Sequence, residues 1–136
     1  MRTTVDTSVI VASFATWHEH HDVAVEAIAK LDVVVAHCLL ETYSVLTRLP
    51  APHRMAPEVV ANYLQLAFGS RTVVSLGPTE LRQLVQTCCG LALAGGAIYD
   101  AVIAATCATE KIKLMTLDAR ARSTYVALGV DHVLVS

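Results

Sequence analysis

Residues 3–14 read TTVDTSVIVASF, and the change of character inside this stretch decides the fold. Thr3 to Val5 is short and β-branched, as a strand is, while Ser8 to Phe14 reads as a helix. Asp6 stands at the junction. The same alternation recurs along the chain. Val33 to Ala36, Thr72 to Ser75, Lys113 to Thr116 and Val133 to Val135 read as further strands. Between them His21 to Lys30, Leu39 to Leu49, Pro57 to Phe68, Thr79 to Leu93, Ala97 to Glu110 and Ala119 to Leu128 read as helices. Pro57 and Pro78 sit where helices start, which suits a residue with a fixed φ and no N–H to lose. Gly69, Gly77 and Gly129 follow or separate elements as stop signals do. Short apolar strands alternating with helices predict an α/β, three-layer sandwich with a mostly parallel sheet of about five strands. No linker, repeat or charge block divides the chain, so residues 1–136 are expected to form a single domain.

Composition supports a well-buried core. Of 136 residues 54% are hydrophobic and 16% charged, the mean hydropathy is +0.53, and 12 acids against 10 bases give a net charge of −2. Disorder is excluded by the high apolar content. An isoelectric point near 6.3 excludes a protein that holds nucleic acid through a basic tail or patch alone. The longest stretch without a charge, Gln83 to Tyr99, is interrupted by Gln86, Gly90 and Gly95-Gly96, so no membrane span is expected. Asp6 falls where the apolar run of a secretion signal would begin, and the four cysteines (Cys38, Cys88, Cys89, Cys107) show no CxxC spacing. A cytoplasmic protein with free thiols follows, with Cys88-Cys89 read as core. The apolar surplus also suggests a further buried face, hence an oligomer or a partner.

In parallel sheets the ligand crevice lies outside the carboxyl ends of the strands. Asp6 ends the first strand, and Asp118 stands just past the fourth. Glu41 falls in the first turn or so of the helix after the second strand, and Asp100 lies near the start of Ala97 to Glu110. Each is embedded in apolar sequence, where an ionised carboxylate is costly without a partner. No Lys or Arg lies within five residues of Asp100. Four acids at one sheet edge with few cations nearby imply an external cation, and carboxylate oxygens select hard Mg²⁺ or Mn²⁺ over zinc. Such ions activate a water and stabilise the leaving oxygen of a phosphodiester. Helix starts at Glu41 and Asp100 would add partial positive charge for a phosphate, and Thr7, Ser8 and Thr116 offer hydroxyls to orient a carboxylate. Taken singly, each acid is as well read as a cap or a surface residue, Asp6 above all. The pattern reaches a divalent-metal phosphate site and no further.

Four blocks, VDTSVIV (5–11), ETYSVLTRL (41–49), DAVIAAT (100–106) and LMTLD (114–118), resemble in order and spacing those of the PIN domain, most nearly the VapC-type toxins of bacterial toxin–antitoxin pairs. The resemblance covers essentially the whole chain. It implies a PIN-like fold and a magnesium-dependent endoribonuclease that hydrolyses RNA with a metal-activated water. Asp6, Glu41, Asp100 and Asp118 would gather the metal, with Thr116 near it and Thr7 and Ser8 matching the usual hydroxyl pair. Arg48, two turns beyond Glu41, would touch substrate phosphate or a partner. It further implies a homodimer and a cognate antitoxin lying over the acidic site; Leu39 to Leu49 or Pro57 to Phe68 is the expected interface helix. Many relatives carry a further acid soon after the last aspartate, whereas Ala119, Arg120, Ala121 and Arg122 follow here. A second metal is therefore less expected, and Arg120 and Arg122 are read either as grips on the RNA backbone or as solvated charges.

The segment Trp17-His18-Glu19-His20-His21 is not HExxH, because residue 22 is Asp22. It reads as a polar loop and helix start with His20 or Asp22 near the cap. Trp17 reads as packing, with base stacking as the alternative. Two other classes stay open: a phosphatase or phosphoacceptor domain, although Ser8 stands where haloacid-dehalogenase-type enzymes have a second aspartate, and a non-catalytic PIN-like interaction module. No Walker A loop or GxGxxG occurs.

Overall fold

Every strand pairing is parallel in the computed structural model, which describes residues 1–136. The elements run β1 (Thr3–Val5), α1 (Thr7–Phe14), α2 (His21–Lys30), β2 (Val33–Val35), α3 (Ala36–Arg48), α4 (Pro57–Phe68), β3 (Thr72–Val74), α5 (Pro78–Gly90), α6 (Ala97–Glu110) and β4 (Lys113–Thr116). A 3₁₀ turn (Ala119–Ala121), α7 (Arg122–Ala127) and β5 (His132–Leu134) complete the chain. The strands form two ladders, β1-β4-β5 and β2-β3. β1 and β2 lie side by side at the break, joined by fewer and different bonds. Thr3 N donates to Asp32 Oδ2 at 2.8 Å, Asp32 N donates to Thr3 O at 2.9 Å, and Thr4 Oγ1 donates to Val33 O at 2.6 Å. The spatial order is thus β3-β2-β1-β4-β5, the expected five-stranded sheet with its ladder interrupted in the middle.

Val33, Val34 and Val35 are all buried although successive residues point to opposite faces. Both faces are therefore covered, as in a three-layer sandwich. Burying Val5, Val9, Ile10, Ile103, Ile112 and Leu114 joins the sheet to α1 and α6 in one core, each such side chain contributing about 1.5–3 kcal/mol. The edge strands are less apolar and more open: Thr72, Val73 and Val133 are exposed.

Several expected boundaries shift. α3 begins at Ala36, directly from the last residue of β2, so Glu41 lies in its second turn and gains nothing from a helix start. β5 is displaced one residue toward the N-terminus because Thr116 pairs with Leu134. α5 begins at Pro78 and stops at Gly90, before Leu93. The expected helix from Ala119 to Leu128 divides into a 3₁₀ turn capped by Asp118, whose Oδ1 accepts from Arg120 N at 2.9 Å, and a short α7. Of the Cys88-Cys89 pair only Cys88 is core; Cys89 is exposed. No helix is long and apolar enough to cross a membrane.

Candidate active site

All four acids singled out in the sequence line one cavity of about 770 Å³ at the carboxyl ends of β1 and β4. Asp6 and Asp118 arrive there by continuing those strands. Asp100 arrives because α6 runs back across the sheet into β4, which places its first turn at the same edge. Glu41 projects from α3. Thr7, Ser8, Arg48 and Arg120 share the lining, and Val11, Val45, Ile103 and Leu117 give it an apolar floor.

Asp6 is both a cap and a site residue. Its Oδ1 accepts from Ser8 N at 3.0 Å and from the Ser8 hydroxyl, which begins α1, while its Oδ2 accepts from Tyr125 Oη at 2.6 Å. Burial pushes its carboxyl above the usual aspartate range, and the hydroxyls of Ser8, Thr116 and Tyr125 together with the Val9 backbone N–H pull the other way. Ser8 couples the two strand ends, because its Oγ also accepts from Leu117 N at 3.0 Å. Thr116 is fully buried and does not reach the cavity; its Oγ1 accepts from Asp118 N at 2.9 Å and so sets the path of the chain carrying Asp118.

Glu41 is held below the ordinary glutamate range, first by His37 and next by the Thr7 hydroxyl, against the opposing effect of burial. His37 Nε2 stands 3.7 Å from Glu41 Oε2, beyond hydrogen-bond length, and that buried nitrogen has no other partner. The His37 ring lies flat on Tyr99, centroids 5.4 Å apart, which fixes its orientation. Asp100 differs from Glu41. Burial, then the negative charges of Glu41, Asp118 and Asp6, push its carboxyl up to about 6.

The site therefore holds more negative charge than its own cations answer. Arg120 Nε is 3.6 Å from Asp118 Oδ1 but almost wholly exposed, and Arg48 bonds Ser44 Oγ at 3.2 Å. Hard oxygen donors in mutual repulsion suit a divalent cation. No three His, Cys, Asp or Glu side chains are drawn together into a finished ligand set, so the carboxylates frame a site rather than close it. The thiols take no part: burial and the nearby Asp6 charge push Cys107 up to about 12 and Cys38 well above the ordinary range.

The family model described as "PIN domain" matches residues 3–127. The chain belongs to the PIN-domain family. Two relatives from Mycobacterium tuberculosis agree over nearly their whole length with this PIN domain. One, named Ribonuclease VapC40, is 45% identical over 96% of this chain and 97% of that protein. The other, named Ribonuclease VapC27, is 39% identical over 97% and 95%. The crystal structure of PAE2754 from Pyrobaculum aerophilum superposes with a TM-score of 0.64 at 20% identity, covering 98% of this chain and 91% of that one, and shares the fold.

Arg122 is the one expected contact residue that does not line the cavity of the PIN domain; it starts α7 and is exposed. Conversely, sequence reasoning missed Tyr125, His37 and Tyr99. His37 was legible as an i,i+4 partner of Glu41 once α3 is started at Ala36. Tyr125 carried no local signal, being 119 residues from Asp6. His18, Glu19 and His20, read as a polar loop, also line the cavity.

Proposed function

We propose that this PIN domain is a divalent-metal-dependent endoribonuclease and the toxin of a VapBC-type toxin–antitoxin pair. The observation that carries the reading is the gathering of Asp6, Glu41, Asp100 and Asp118, from four separate parts of the chain, onto one cavity with arginines at its rim. The relatives named as VapC ribonucleases, similar along almost the full chain, support the substrate and the toxin role. The four carboxylates would hold the cation, and Mg²⁺ or Mn²⁺ suits them by hardness. When bound, it supplies Lewis acidity for the attack of water on a phosphodiester.

The chain's own residues prepare that reaction. Ser8 and Tyr125 lock the Asp6 carboxylate in one orientation before any ligand enters. Thr7 and His37 keep Glu41 ionised and turned to the cavity. Asp100 sheds its proton near pH 6, and an arriving cation would relieve the repulsion from its acidic neighbours. Arg48 and Arg120 draw substrate phosphate to the rim, and Thr116 positions Asp118 through its backbone N–H. A cognate antitoxin over the acidic cavity and a homodimer in the cytoplasm complete the reading. Exposed Leu40 on α3 and Leu66 on α4 put apolar surface on both expected interface helices.

The test is cleavage of RNA by the purified chain with Mg²⁺ or Mn²⁺, abolished by EDTA and by Asp6→Asn. Sequencing the cleavage ends would name the RNA. Release of phosphate from a monoester without RNA cleavage would replace this reading with a phosphatase. Absence of calorimetric Mg²⁺ and Mn²⁺ binding would replace it with an interaction module.

A further inference from the structure

The α1–α2 loop carries an aromatic arrangement that neither the core nor the carboxylates require. Trp17 is 47% exposed, yet its ring is stacked on His53 from the α3–α4 connection, centroids 4.1 Å apart and planes 28° off parallel. His53 is itself exposed, so the stack buries little and the hydrophobic core gains nothing from it. The loop beneath is fixed rather than loose. His18 N donates to Ala15 O at 2.9 Å, His21 N donates to His18 O at 3.1 Å, and His21 Nδ1 lies 2.8 Å from Ala12 O.

This rigid aromatic stands next to the candidate active site. The Trp17 and His18 rings are 5.9 Å apart, and His18, Glu19 and His20 line the cavity that holds the four acids. His20 N donates to His18 Nδ1 at 3.0 Å, so the His18 ring N–H lies on Nε2, a donor on the side away from that bond. An exposed ring held on one face, a ring donor beside it and Arg120 lining the same cavity as that donor match what an unpaired nucleotide needs: a surface to stack on and groups for its phosphate.

We propose that Trp17, braced by His53, is the stacking platform for one unpaired nucleobase next to the scissile phosphate, with His18 contacting the same nucleotide. The proposal rests on the ribonuclease reading and deepens it: the substrate is RNA single-stranded at the cleavage point. Stacking on an aromatic side chain tolerates any base, so the platform contributes affinity and register, not base identity.

Trp17 is the only tryptophan, so its fluorescence reports the contact directly. Titrating the cleavage-deficient Asp100→Asn variant in Mg²⁺ with a short oligouridylate should quench the emission. The same oligomer lacking the bases, and a blunt RNA duplex, should not. In the otherwise wild-type chain, Trp17→Ala should raise KM for single-stranded RNA by about 5- to 100-fold with kcat nearly unchanged. Trp17→Phe should restore most of the loss, and His53→Ala should give a smaller rise of the same kind. An unmoved KM, quenching by the abasic oligomer equal to that by oligouridylate, or a fall in kcat alone would overturn the platform. Each of those results leaves the ribonuclease reading standing, whereas failure of the unmodified chain to cleave RNA with either metal overturns that reading itself.

Discussion

Replacing Asp100 with asparagine separates the carboxylate's role in the site from its effect on the fold. Asp100 is raised from 3.8 to about 6, so the folded chain holds its proton more tightly than the unfolded chain does. The contribution is complete below pH 4 and is lost as the pH rises through 6. Two pKa units correspond to about 3 kcal/mol, and because the half-buried group keeps solvent on one side, screening reduces this to about 1.5 kcal/mol. Asn keeps the shape and carries no charge. In EDTA at pH 8, Asp100→Asn should be the more stable protein by about 1.5 kcal/mol, or about 5 °C in Tm for a chain of this length. At pH 4 the gap should close, and Mg²⁺ should reverse it by stabilising the wild-type chain more than the variant. Melting curves of both proteins at the two pH values, with EDTA or Mg²⁺, measure all three effects. An Asn variant no more stable than wild type at pH 8 would refute the reasoning, as would an advantage of equal size at pH 4.

Tyr125→Phe removes the Oη donor to Asp6 Oδ2 without changing the core volume, so denaturant unfolding should show a loss of about 1.5–3 kcal/mol. RNA cleavage should weaken as Asp6 loses its restraint, whereas unaltered stability would show that the buried carboxylate does not depend on this bond. Arg48→Ala should raise KM for RNA and flatten its salt dependence while Tm changes little, as kinetics at two ionic strengths would show. Lys111 closes α6 with φ +55°, a left-handed conformation that favours glycine, so Lys111→Gly should raise Tm at unchanged activity. Size-exclusion of the pure chain at micromolar concentration should give a dimer, and Leu66→Glu should shift it toward monomer if α4 forms the interface.

Much of the site was legible in the sequence for a specific reason. In a parallel sheet the residue after a strand lies at the functional edge, so locating the strands Thr3–Val5 and Lys113–Thr116 was enough to aim Asp6 and Asp118. Asp100 followed from being at the start of the helix that leads into β4. Glu41 was assigned to the right cavity although its helix was started late, since three consecutive valines gave no sign that α3 begins without a turn. Asp6 both caps α1 and lines the cavity: the donors that begin α1 are the ones that orient the carboxylate.

The amino-acid order by itself determined the alternation of strand and helix, the burial of the all-valine strand Val33–Val35 and the edge at which the acids stand. Those properties follow from periodicity and side-chain type over a few residues. Tertiary structure alone decided which distant groups surround each carboxylate: Tyr125 beneath Asp6, Thr7 on Glu41, and like charges around Asp100. It also decided that Trp17 is half in solvent on His53 rather than in the core. Through-space distance sets electrostatic and hydrogen-bond energies, and the chain brings residues together from 34 to 119 positions apart at this edge, beyond the reach of any local pattern.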